Sequence, residues 1–264
     1  MINMRRMVPC LFRIKWQYIS EHGMQYVEMM RKEESKMQNR QMNFIITGIW
    51  LLLFIVFTAL VQLIDVAPIG PDGSSVGFAS VNALVRDSLG AHKIWYTITE
   101  WLGFLPLFTA VIFAVIGLIQ CIRRRSLFKV DTSIIFLGIF YMVTIMMYIL
   151  FEVYIVNYRP ILVEGKLEAS YPSSHTMLAC CFMAAAALEC RVLIKKRGVN
   201  LFISLASVII MVVMVAGRLA SGAHWFTDII GGLLISGALI MGLYSALTAL
   251  CGRRQRAGSK GDQR

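Results

Sequence analysis

Charge is scarce in this chain, and acidic charge is the scarcer sign. Only 16% of the 264 residues are Asp, Glu, Lys or Arg, and 15 acids face 26 bases. Soluble domains carry about 25% charged residues, so the side chains needed to solvate a soluble surface are missing. Cysteine is also thin: Cys10, Cys121 and Cys251 fall on the predicted inner side, while Cys180, Cys181 and Cys190 share one apolar stretch. That pattern excludes a disulfide framework and leaves free thiols as the expectation. The Cys180–Cys181 pair has no His or second Cys pair at ligand spacing, so it reads as small polarizable packing rather than a metal site. An early apolar run with a small-residue cleavage site is lacking, so no cleaved signal peptide is expected. Paired broken helices and midplane charges, the marks of a transporter, are lacking as well.

What the chain has in quantity is apolar length. Hydrophobic residues make up 58% and the mean hydropathy is +0.68, too apolar for one soluble core and too evenly so for several domains. A membrane-crossing helix takes about 20 predominantly apolar residues, and six stretches qualify: 43–65, 96–121, 133–156, 174–193, 199–217 and 225–250. The expected fold is an all-α, polytopic bundle of six transmembrane helices, because short connections leave backbone groups no other way to be satisfied in lipid.

Basic residues set the orientation. If the N-terminus is cytoplasmic, the inner segments hold 21 of the 26 Lys and Arg, leaving Arg86, Lys93, Arg159, Lys166 and Arg218 outside. Cytoplasmic loops keep such residues, so both termini are expected inside a cytoplasmic (inner) membrane. The net charge of +11 is mostly this orientation signal, with anionic lipid as a secondary partner; nucleic-acid binding has little support. The resulting organisation is a basic cytoplasmic extension over 1–42, a six-helix membrane domain over 43–251 and a basic tail over 252–264. Within the extension, Phe12, Trp16, Ile19, Tyr26 and Met30 approximate a helical face suited to the inner leaflet. A weakly ordered extension is the plainer reading, and Met29, Met30, Met37 and Met42 offer later start sites. Between the first two helices, "DVAPIGPDGSS" is a turn-rich stretch expected outside the membrane. The next stretch, "VGFASVNALVRDSLG", reads as a short surface helix, shaping a lipid entrance or capping the bundle.

Polar residues at membrane depth cost free energy and are functional suspects. Here they converge on one predicted face. One helix runs into "NYRP", with Arg159 and Pro160; the next begins with "PSSH", with Ser173, Ser174 and His175; and "GRLASGAHWFTD" supplies Arg218, His224 and Asp228. Pro172 followed by Ser173 is a helix-start signal, in which a serine caps and free backbone N–H groups attract an anion. His224 and Asp228 are four apart and, on a helix, share a face; a carboxylate that fixes one imidazole nitrogen leaves the other free to attack or accept a proton. Arg159 and Arg218 carry planar forks suited to phosphate oxygens. Singly, each has a plainer reading as a cap, a snorkelling arginine or a structural hydrogen bond; their shared face turns the balance.

Arg159–Pro160, Pro172–His175 and the Gly217–Arg218 pair followed by His224 and Asp228 resemble the three-part signature of the phosphatidic acid phosphatase type 2 superfamily, which includes the vanadium haloperoxidases. The resemblance runs from Glu152 to Asp228. It implies that His224 is a nucleophile forming a phosphohistidine, that Asp228 orients it, and that His175 protonates the leaving alkoxide and later helps activate water. Arg159, Arg218, Ser173 and Ser174 become the phosphate clamp. No metal or other cofactor is implied, since guanidinium groups and backbone donors stabilise the charge a divalent ion would otherwise meet.

Three positions depart from the pattern. Ser174 stands where glycine is usual and Gly217 where serine is usual, both small-for-small. Glu152 replaces the usual lysine seven residues before Arg159, and at close range one reversed charge is worth several kcal/mol against phosphate binding. Lys166 swinging into the vacancy, Glu152 pairing with Arg159 or Arg218, and Glu152 as a proton donor for another substrate are the three compensations left open. The expected activity is a metal-independent phosphatase acting on a lipid phosphate monoester or pyrophosphate at the outer membrane face. The alternative is a degenerate, non-catalytic protein that binds a phosphorylated lipid. Oligomeric state is not legible.

Overall fold

The computed structural model describes residues 38–39 and 41–261, with side chains through residue 249. The chain divides into two units, 1–43 and 44–264. The apolar face read at Phe12, Trp16, Ile19, Tyr26 and Met30, together with Cys10, lies outside the described residues.

Six helices are long and apolar enough to cross a membrane: α1 (Gln41–Leu63), α3 (Lys93–Arg124), α4 (Thr132–Val153), α5 (Ser174–Leu193), α6 (Arg197–Ala220) and α7. A short helix, α2 (Ala79–Leu89), lies between the first two. The helix α7 spans Phe226–Gly261, so its backbone continues about three turns past the point where the sequence placed the start of a tail. Among the described residues there is no strand, only isolated antiparallel bridges. The all-α, six-span architecture is therefore the one read from the sequence, with helix ends displaced by a few residues except at the far end of α7. Cys121, Cys180, Cys181 and Cys190 are free thiols.

The centre of the bundle is α5, which packs against α3, α4, α6 and α7. It is the least apolar span, and 56% of its most apolar window is buried, against 11% for α1, α3 and α6. A helix ringed by other helices needs small side chains for close approach more than an apolar coat for lipid. The run Ala184–Ala187 and the buried Cys180 and Cys181 supply them. The polar "PSSH" segment thus sits at the end of the most enclosed helix.

Close packing fixes that end. On α7, a Cβ at Gly231 would lie 2.5 Å from the Tyr171 ring, and one at Gly232 would lie 3.1 Å from the Ser173 carbonyl. The two glycines let α7 press against the start of α5, where Ser173 N donates to the Asp228 carbonyl at 2.9 Å. Tyr171, 1% exposed, stacks on Phe54 and shares a 2.8 Å hydrogen bond with Thr58.

Helix alternation puts the connections 64–78, 90–92, 154–173 and 221–225 at this same end and 125–131 and 194–196 at the other. The turn-rich first connection folds through an Ala67–Val76 bridge around a 3-10 turn at Pro71–Gly73. Asp65 accepts the Ser80 amide at 2.7 Å, satisfying a free donor at the start of α2. Buried Asn82 on α2 donates to Thr227 Oγ1 at 3.0 Å and accepts the Thr227 amide at 3.1 Å. These are packing contacts, and they hold α2 as a cap on the start of α7. In the 154–173 connection, Val163 and Lys166 pair across a tight hairpin whose central residues, Glu164 and Gly165, both have positive φ (50° and 75°), as the twist of a hairpin favours.

Candidate active site

Two connections, 154–173 and 221–225, and the near ends of α3, α5, α6 and α7 deliver the functional side chains to one place. Ser173 caps α5, its Oγ accepting the Thr176 amide at 3.5 Å. With Ser173 N committed to α7, the amides of Ser174 and His175 are the first-turn donors without a bond, which is the anion-attracting end of a 20-residue helix.

His224 does not lie on a helix with Asp228, as the four-residue spacing suggested. It sits in the turn before α7, and Asp228 lies in that helix's first turn. The turn is built by Ser221, whose Oγ donates to the Arg218 carbonyl at 2.7 Å and accepts the Ala223 amide at 3.2 Å. Gly222 follows at φ 67°, where a Cβ would also lie 2.7 Å from that of Ala91. His224 Nδ1 is 3.2 Å from the Ser170 carbonyl and 3.7 Å from Asp228 Oδ2. A carbonyl only accepts, so Nδ1 carries the proton and Nε2 holds a lone pair. That Nε2 is buried and has no hydrogen-bond partner. Asp228, fully buried, accepts the Trp225 amide at 2.8 Å and Asn157 Nδ2 at 3.3 Å, so its closest bond shapes the turn that carries His224.

The guanidinium of Arg218, 0% exposed, is held at its far end. Nη2 donates to Glu100 Oε1 at 2.9 Å and to His175 Nδ1, and Nη1 donates to Thr99 Oγ1 at 3.4 Å. The Tyr96 ring lies 5.4 Å from the guanidinium carbon. Its Nε–H is buried and unpaired. Since an arginine only donates, His175 Nδ1 is an acceptor and its proton is on Nε2, 3.6 Å from Glu100 Oε2.

Arg159 is nearly buried; its Nε lies 3.4 Å from Glu168 Oε2 and 3.4 Å from the Ala169 carbonyl. Arg86 lies over the Trp225 ring at 5.3 Å and donates to the Pro160 carbonyl at 3.1 Å, while Trp225 Nε1 donates to the Tyr158 carbonyl at 2.8 Å. These contacts brace the Arg159 segment against the His224 turn. Both Arg159 and Arg218 act electrostatically on His224.

The proposed compensations for Glu152 fare differently. Arg218 pairs with Glu100, not Glu152. Glu152 is within charge reach of Arg159 and Glu168 and next to Tyr148; it lines a narrow crevice with Ser170, Tyr171 and Ser174. Lys166 is exposed on the hairpin and joins none of the cluster's ion pairs. Sequence reasoning missed Glu100, Glu168, Asn157 and the Ser170 carbonyl. Only Glu100 carried a usable signal, a lone carboxylate within an apolar span.

Residues 152–250 match the model of the PAP2 superfamily. Among solved structures, the chain is similar to the "first transmembrane PAP2 type phosphatidylglycerolphosphate phosphatase from Bacillus subtilis", with a TM-score of 0.55 at 14% identity, covering 75% of this chain and 94% of that one. At that identity the likeness is one of fold. No curated protein matches the sequence. The matched segment takes in Glu152, Arg159, His175, Arg218, His224 and Asp228, but not Glu100, which reaches the cluster from outside it.

Burial, reinforced by Arg159 and Arg218, holds the His224 imidazole well below the ordinary histidine range, so it is neutral at physiological pH. The unfolded chain takes up this proton near pH 6.5 and the folded one does not. The stability contribution is therefore full above about pH 6.5 and falls as pH drops toward the folded value, by at most about 1.4 kcal/mol per pH unit. Thermal unfolding of detergent-solubilised protein between pH 7.5 and 5 should show a shallower loss in His224→Gln than in the wild type; parallel slopes would contradict the assignment.

Proposed function

We propose that this chain is a membrane phosphatase that hydrolyses a lipid phosphate monoester or pyrophosphate, without a metal ion, through a phosphohistidine on His224. The observation that carries the reading is His224 itself: Nδ1–H is taken by the Ser170 carbonyl, and Nε2 is left buried and unpaired among two arginines. Such a nitrogen is a nucleophile in its reactive tautomer. In the first step Nε2 attacks phosphorus, the bond to the leaving oxygen breaks, and that oxygen takes a proton from His175. Water then attacks the phosphohistidine, the N–P bond breaks, and the proton from water returns to His175. Arg159, Arg218 and the Ser174 and His175 amides meet the charge on the phosphoryl oxygens. The distribution of Lys and Arg supports a site on the outer face of the cytoplasmic membrane.

The test is rapid quench with labelled phosphatidic acid, phosphatidylglycerophosphate and isoprenoid pyrophosphate in the presence of chelator. The expected result is chelator-resistant phosphate release with an acid-labile, alkali-stable phosphoenzyme. Release that requires a divalent ion, or a phosphoenzyme that persists in His224→Ala, would overturn the mechanism.

One observation favours a second reading, a degenerate protein that binds a phosphorylated lipid without turnover. Glu152 lines the crevice beside Ser170 and Ser174 and places a carboxylate within charge reach of Arg159. Glu152→Lys separates the two: a rise from near-zero phosphate release supports degeneracy, whereas a fall of about tenfold or more, the size of a contact worth about 1.4 kcal/mol, marks Glu152 as adapted to the substrate.

A further inference from the structure

We propose that Glu100 on α3 is a positioning residue of this site, holding Arg218 and His175 in register with each other; the inference rests on the phosphatase reading above. Four residues on α3, Tyr96, Thr99, Glu100 and Gly103, follow the i, i+3, i+4, i+7 spacing of a single helix face. Each meets the cluster. Tyr96 stacks beneath the Arg218 guanidinium, Thr99 Oγ1 accepts from Nη1, and Glu100 Oε1 accepts from Nη2. Gly103 leaves the space His175 fills: a Cβ there would lie 3.2 Å from His175 Cδ2 and 3.6 Å from Nε2.

The approach of α3 depends on a second glycine. At Gly217, next to Arg218, a Cβ would lie 2.6 Å from Thr99 Cγ2 and 3.1 Å from Trp95 Cε3. The Thr99 side chain cannot rotate away freely, because its hydroxyl also donates to the Trp95 carbonyl at 2.8 Å. Gly217 and Gly103 are thus points of close approach of α3 to α6 and to α5, and Glu100 reaches both Arg218 and His175.

The consequence is an ordered set of donors. With both Nη2 hydrogens taken by Glu100 and His175 and one Nη1 hydrogen by Thr99, Nε is the guanidinium nitrogen left with no bond at all. The same carboxylate faces the His175 Nε2–H at 3.6 Å. It favours the tautomer in which His175 holds a proton on Nε2 while Nδ1 accepts from Arg218. Glu100 therefore leaves the Arg218 Nε–H for a phosphoryl oxygen and keeps a proton on the histidine that serves the leaving oxygen. It touches neither phosphorus nor the leaving group.

The experiment compares full-length wild type, Glu100→Ala, Glu100→Gln and Gly217→Ala on two substrates, an alkyl lipid phosphate and p-nitrophenyl phosphate, in chelator. An alkoxide needs a proton to leave and a nitrophenolate does not. Glu100→Ala is expected to lower kcat on the alkyl substrate about 100-fold, with KM changing less than about threefold and the nitrophenyl rate falling only about tenfold, the share that passes through the Arg218 donor both substrates use. Glu100→Gln retains an acceptor for Arg218 and should fall between wild type and alanine. Gly217→Ala should copy the Glu100→Ala pattern and add little to it in the double variant, as coupled residues do. Equal losses on both substrates, a loss confined to KM, or no loss in a variant whose thermal midpoint is unchanged would each overturn the proposal. Wild-type protein that releases no phosphate in chelator from the alkyl lipid would instead overturn the phosphatase reading on which it rests.

Discussion

His224→Ala is expected to abolish chelator-resistant phosphate release, by about 10⁴-fold or more, the scale seen when a nucleophile is removed from a site whose other parts remain. The imidazole is 1% exposed and makes one hydrogen bond, to a backbone carbonyl. Its removal leaves the Ser170 carbonyl short of a donor, a modest structural cost of about 1–3 kcal/mol, while deleting the atom that attacks phosphorus. Loss of rate should therefore far exceed loss of stability. Asp228→Asn offers the informative contrast. Its carboxylate lies 3.7 Å from Nδ1, farther than the Ser170 carbonyl at 3.2 Å, but accepts the Trp225 amide at 2.8 Å. An asparagine keeps that amide bond through its side-chain carbonyl and leaves the Ser170 contact intact, so its kcat should fall well short of the alanine defect. Phosphate release and thermal midpoints of the two variants, measured together, check both statements; an Asp228→Asn defect as deep as that of His224→Ala would make Asp228, not Ser170, the group that orients the nucleophile.

The six spans were legible because lipid imposes a simple rule, long apolar runs with basic residues gathered in alternate connections. The start of α5 was legible because Pro172 and Ser173 are local signals, and the capping bond to Thr176 is where they place it. His224 was harder. Its spacing to Asp228 suggested one helical face, but the helix starts two residues later, and a backbone carbonyl 54 residues away takes the imidazole proton. Backbone partners leave no trace in side-chain patterns. The same holds for Asn157, which reaches Asp228 from the "NYRP" segment that the sequence marks only for Arg159 and Pro160.

Gly217 shows a different limit. In sequence it is a small residue in place of another small residue. In the structure it is where α3 closes on α6, and its absent side chain decides which residues can approach Arg218. Glu100 and Gly217 are more than one hundred residues apart in the chain, so their dependence on each other is a property of helix packing that no local pattern contains.

Arg218 is the second position where a large effect is expected. Arg218→Lys should lower kcat/KM about 10³-fold, and Arg218→Ala at least as much. One oxyanion donor is worth about 10²–10³-fold, and this guanidinium supplies both a donor and a buried charge. Lysine keeps the charge but presents a compact ammonium with three donors in place of a planar fork with five. It cannot hold Thr99, Glu100 and His175 at one end and offer a separate edge to phosphate at the other. The alanine variant also removes the partner of Glu100 and of His175 Nδ1. Breaking a fully buried pair costs about 3–5 kcal/mol, and since the Glu100 side chain is 39% exposed and can turn to water, a loss of about 2–3 kcal/mol is the better expectation. The lysine variant, which can still pair with Glu100, should lose less stability than alanine while losing nearly as much activity. That separation, read from thermal midpoints beside steady-state rates, is what a clamp requires: the fold needs a cation at position 218, whereas the chemistry needs the fork. A lysine variant within about tenfold of wild type would show that charge alone suffices there, and the unpaired Nε–H would lose its assigned part in holding the phosphoryl group.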